Sequence, residues 1–139
     1  MCRSTRLIAI LLMVMLPLSP GCDTDKRADL LVTSAGQELQ QGDFAKAEEL
    51  AVQALQYDAQ APAALKIAGD AAAQQEAFDR ALEYYAKIPE TDLLSRCQGC
   101  CGAGRVLVLG KSQLSRGEAK FREALSLQPH DYQALDSLS

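Results

Sequence analysis

Residues 40–62 read QQGDFAKAEELAVQALQYDAQAP, and residues 73–90 read AQQEAFDRALEYYAKIPE. Laid over one another, they bring Gly42 onto Glu76, Phe44 onto Phe78 and Ala47 onto Ala81, each pair 34 residues apart. The interval extends in both directions: Ala35, Gly69 and Ala103 keep it, and Gly110 continues the series of Gly42 and Glu76. A constant interval of this size marks stacked copies of one supersecondary unit, none of which can bury its apolar face alone. Within the copies, Leu31, Ala35 and Leu39, and then Leu65, Ala68 and Ala72, recur at helical spacing, while Gly42-Asp43 and Glu76-Ala77 mark turns. Strong helix formers dominate and no Val/Ile/Thr alternation signals a strand, so the fold class is all-α.

The 34-residue period, with small residues at two fixed offsets and an aromatic between them, resembles the tetratricopeptide repeat. The resemblance implies a short α-solenoid of about three antiparallel helix pairs at 28–61, 62–95 and 96–131. It assigns close packing to Ala35, Gly69 and Ala103 in the first helices and to Ala47, Ala54 and Ala81 in the second, with Phe44 and Phe78 as the aromatics. Leu31 and Leu65 stand where the family has a large apolar residue. The third copy closes on Phe121, Ala124 and Pro129, two residues later than the family pattern, which places a two-residue insertion near Lys111–Gln113 and gives Gly117 the small position. Residues 132–139 read as a short cap or the start of a further repeat. By the same resemblance the concave surface is lined by Asp29, Val32, Gly36, Leu39 and Gln40, then Ala63, Lys66, Asp70, Ala73 and Gln74, then Cys97 and Cys100.

The N-terminus carries an address. Arg3 and Arg6 precede an apolar run from Leu7 to Leu16, closed by Pro17, Ser19, Pro20 and Gly21. That is the layout of a secretory signal, and the run is half of the roughly 20 residues that span a bilayer. Ser19-Pro20-Gly21-Cys22 resembles the lipobox of bacterial lipoproteins, with serine where the family prefers leucine, which implies cleavage of residues 1–21 and acylation of Cys22. Residues 22–27 then form a tether. The remaining chain holds 12 basic and 18 acidic residues, a formal charge of −6, and no basic cluster suited to nucleic acid.

RCQGCCGAGR at 96–105 sets Cys97, Cys100 and Cys101 within five positions. Haem attachment needs histidine after the second cysteine, and residue 101 is cysteine. Structural zinc needs four ligands, and the lone His130 is distant in sequence. A redox pair favours a helix N-terminus behind a strand, and no strand precedes it. These cysteines read as packing residues in a tight helix. GRVLVLGKS at 104–112 has five residues between its glycines where a phosphate loop has four, and reads as a buried helix face ending at a glycine turn. Tyr84 and Tyr85 read as packing residues, and His130-Asp131 as a solvated loop.

With no catalytic constellation, cofactor motif or metal set, the expectation is a non-catalytic adaptor, anchored by lipid in the cell membrane or outer membrane and facing the periplasm or exterior. It would hold a protein or peptide in its groove, touch the membrane through its lipid and bind no nucleic acid. The alternatives are a thiol-redox or metal-sharing module built on the three cysteines, or the N-terminal interaction part of a larger multi-domain system.

Overall fold

A computed structural model describes residues 21–128, with side chains from residue 23 onward. Residues 1–20 of the expected signal, the thiol of Cys22, Pro129, His130 and the cap at 132–139 lie outside the described residues. Six α-helices follow in order: α1 Gly21–Gln41, α2 Phe44–Leu55, α3 Pro62–Gln74, α4 Phe78–Ala86, α5 Leu93–Arg105 and α6 Leu114–Leu127. A π-helical turn, Val106–Gly110, prolongs α5. No strand occurs among the described residues. Helix α1 begins seven residues ahead of Ala28, so the stretch expected as a tether is helical.

The sequence chemistry explains where the helices start and stop. Asp43 and Asp92 cap α2 and α5 by accepting the amides of Lys46 and Ser95, each at 3.1 Å, and Pro62 opens α3. The Ser95 amide and hydroxyl hold the Asp92 carboxyl below its ordinary range. Helices α1 and α3 end in the same way. Gly42 and Glu76 enter the left-handed region at φ 87° and 61°, and the next amides, Asp43 and Ala77, reach five residues back to Glu38 and Ala72 at 3.0 and 2.9 Å.

The hairpins α1/α2, α3/α4 and α5/α6 stack in order, with α3 packed on α1, α2, α4 and α5. Contact is close because small residues face one another: Ala35, Ala51 and Ala68 form one buried cluster, and Leu65, Ala72, Ala81, Tyr85, Ile88, Ala103 and Val106 form the next. Ala47, Ala54 and Ala124 are fully buried, and Phe121 nearly so. Glu48 ties the first repeat to the second, accepting from Gln75 at 2.8 Å and pairing with Arg80 at 2.9 Å, with the Tyr84 hydroxyl at 3.3 Å. Tyr85 fills the centre of the stack. A Cβ built on Gly69 of α3 would stand 2.6 Å from its ring, and so would a Cβ on Gly102 of α5.

The third hairpin keeps this architecture with a shifted register. Gly69 meets Tyr85 in the second copy, and Gly104 meets Phe121 in the third, where a Cβ would come within 2.5 Å of the ring. Gly104 is 35 residues after Gly69, so one residue has entered ahead of α5's packing point, and Ala103 faces the second repeat's core instead of its own partner helix. The left-handed turn residue is Ser112 at φ 53°, 36 residues after Glu76, and Gly110 packs against Phe78. The second extra residue therefore lies before the turn, inside the helix. It is absorbed where Lys111 N–H reaches Val106 five residues back at 3.1 Å and Gln113 reaches Leu107 six back at 2.7 Å. The sequence had placed both insertions at Lys111–Gln113, and a glycine turn at Gly110.

Candidate functional site

The first helices of the three hairpins, α1, α3 and α5, turn one face inward. Between them lies a groove of about 520 Å³. Leu39, Phe44, Phe78, Val106 and Leu109 give it apolar walls, while Asp70, Gln74 and Arg105 supply the polar groups. Its acidic centre is fixed by neighbours. Asp70 accepts from the Tyr85 hydroxyl at 2.6 Å and pairs with Lys66 one helical turn earlier at 2.7 Å. Burial, then the Asp70 charge and hydrogen bond, push the Tyr85 phenol far above its ordinary range, so it remains a donor.

Lys66 is thus engaged inside the protein. Arg105, by contrast, is exposed and has no carboxylate at ion-pair distance among the described residues. It is the groove's available cation. Leu109 beside it is 81% exposed, a large apolar side chain with nothing laid over it among the described residues.

Of the residues expected to line the groove, the structure brings Leu39, Asp70, Ala73 and Gln74 together around it. Asp29 and Gln40 are exposed and Val32 and Lys66 half-buried outside the cavity itself. Phe44 and Phe78, expected only to pack, are half-buried and line it. Cys97 and Cys100 do not face it. They are 0% and 4% exposed and pack with Cys101 against Ala124, Leu125 and Leu127 of α6. Ala63 and Lys66, their counterparts 34 residues earlier in α3, do not line the cavity either. With Gly104 in the packing position, Arg105 takes the groove place that a strict 34-residue count gives to Gly104. The residue after a packing small residue faces the groove in α3 as well, where Asp70 follows Gly69. That local rule, applied to the pair Gly104-Arg105, was the signal that could have found Arg105.

The buried thiols are chemically quiet. The Cys97 thiol donates to the Ala124 carbonyl at 3.5 Å. Burial, then the charge of Glu123 and a hydrogen bond to it, push Cys100 up to about 11, away from the thiolate that redox or metal chemistry uses. No group of metal-binding side chains forms among the described residues, and no disulfide joins these three cysteines.

Two comparisons bear on this architecture. Residues 37–92 match the tetratricopeptide repeat family. This segment carries tetratricopeptide repeats. Among solved structures it is similar to the first tetratricopeptide domain of Spaghetti (RPAP3) bound to the HSP90 peptide SRMEEVD, with a TM-score of 0.72 at 16% identity over 81% of this chain and 88% of that one. No curated protein sequence matches the chain. The tetratricopeptide match runs from the end of α1 to residue 92, one residue before α5, and so lies within the two copies whose period is intact. The fold is that of a protein–protein interaction scaffold.

Proposed function

We propose that this tetratricopeptide protein is an exported, lipid-anchored, non-catalytic adaptor that holds a segment of a partner protein at the cell envelope. The groove carries the reading of its binding role: apolar walls from α1, the starts of α2 and α4 and the π-helical turn, a pinned Asp70 and an available Arg105 suit an extended or helical segment that offers an apolar side chain to Leu109 and a carboxylate to Arg105. The peptide-bound relative lends support to a peptide as ligand. Lys66, neutralised by Asp70, takes no part in holding a carboxylate. Export and anchoring rest on Arg3, Arg6, the apolar run and Ser19–Cys22. No helix among the described residues is long and apolar enough to cross a membrane, and a thioether-linked lipid on Cys22 would supply the attachment.

Intact mass of the protein extracted from membranes tests the anchor. A mass of residues 22–139 plus acyl chains supports it, and an uncut or soluble, unacylated product overturns it. Crosslinked partner capture tests the groove. Arg105→Gln and Leu109→Ser should each reduce capture about tenfold, and capture unchanged in both, and in a joint substitution of Lys66, Asp70 and Gln74, would refute the groove.

A further inference from the structure

A second cavity lies on a different face of α5. Between α4, α5 and α6 a cleft of about 220 Å³ has an apolar floor of Leu82, Ala103 and Leu107 and a rim of Arg96, Arg116 and Lys120. Its charge is unbalanced. Arg96 and Lys120 share one carboxylate, Glu123, at 2.9 and 2.6 Å, and among the described residues Arg116 bonds only the neutral amide of Gln113 at 2.7 Å. Three cations against one anion stand over apolar atoms in a protein that is acidic overall. The same polarity holds along the chain: residues 23–92 carry 14 acidic and six basic side chains, and residues 93–128 carry two acidic and six basic.

We propose that this cleft is a second docking site, for an acidic partner segment that seats an apolar side chain on Leu82, Ala103 and Leu107 and sets its carboxylates against Arg116, Lys120 and Arg96. Its volume is below the roughly 300–1,000 Å³ of small-molecule sites and suits side chains of a peptide. The rim charges steer an anionic segment and make its capture salt-dependent. Tyr85 borders both this cleft and the concave groove, but their charged groups differ, so an adaptor using both would join two partners.

The test is fluorescence anisotropy of the full chain with a labelled EELEELEE peptide and its uncharged counterpart QQLQQLQQ. The acidic peptide should bind about tenfold or more tightly than the uncharged one, and lose that advantage at high salt. Arg116→Gln with Lys120→Gln should weaken it about tenfold, Ala86→Glu, an exposed position on the cleft wall, should do the same, and Arg105→Gln in the groove should leave it unchanged. Binding unaffected by both cleft variants, or abolished by Arg105→Gln alone, would overturn the proposal and assign the peptide to the groove. Failure of the peptide to bind would also overturn it. So would cleft variants that only dissolve a concentration-dependent oligomer, which names a second copy as occupant, or that only release anionic vesicles, which names a membrane.

Discussion

Two helical glycines offer a test of opposite sign within one molecule. Replacing glycine by alanine inside a helix ordinarily stabilises by about 0.5–1 kcal/mol, because the unfolded chain loses freedom it would otherwise keep. At Gly36 in α1 the new methyl would meet only the Ile67 Cδ1 at 3.8 Å, an ordinary contact, so Gly36→Ala should show that gain. At Gly69 the same methyl would stand 2.6, 2.8 and 3.0 Å from three atoms of the Tyr85 ring. The ring has little room to retreat, since Gly102 of α5 crowds its Cζ and Cε1 with the same closeness. Overpacking costs about 1–3 kcal/mol, so the net expectation for Gly69→Ala is a loss of about 1–2 kcal/mol. Thermal unfolding followed by circular dichroism reads both, at roughly 4–8 °C for each kcal/mol in a domain of this class. Gly36→Ala should raise Tm and Gly69→Ala lower it. If both raised it, the wedge of Tyr85 between two helices would not be the constraint that sets the distance between repeats.

Tyr85→Phe deletes the donor at 2.6 Å from Asp70 and leaves Lys66 in place, so urea unfolding should show a loss of about 1–2 kcal/mol, with no gain on raising pH. Burial works to raise the Glu123 carboxyl, and hydrogen bonds from Lys120, Arg96 and Cys100 overcome it and take it from 4.5 to about 2. A carboxyl held down in the folded state stabilises fully above its unfolded pKa and loses that contribution as pH falls through the folded one. The third hairpin should therefore weaken between pH 4.5 and about 2, and Glu123→Gln should flatten the Tm profile in that window. Cys97→Ser puts a stronger hydrogen-bonding group at a fully buried site and should cost about 1–3 kcal/mol, while the thiol in the native protein should resist alkylation until denaturant is added.

The first two repeats were legible because nothing disturbs their period: Phe44 and Phe78, Ala47 and Ala81, and the turns at Gly42 and Glu76 fall where a count of 34 puts them. The third was legible as a helix pair and misread in its facing. The run Gly99, Gly102, Ala103, Gly104 offers several small residues, any of which can satisfy the packing position, and Ala103 kept the period while Gly104 made the contact. A one-residue error rotates every side-chain assignment on a helix by about 100°. That is how Arg105 and Leu109 were overlooked. Ion pairs such as Lys66 with Asp70 were within reach of the sequence through their spacing, whereas the sharing of Glu123 by Arg96 and Lys120 depends on α5 meeting α6.

The widened turn at Val106–Gly110 bears on how such arrays can change length. A helix that loosens by a single residue near its end lets a copy grow without disturbing the seam it shares with its neighbour, as Gly104 against Phe121 attests. Growth of this kind goes unnoticed by the stack and is conspicuous to any fixed-length ruler laid along the chain, so helical arrays can outlast the periodicity by which their members are counted.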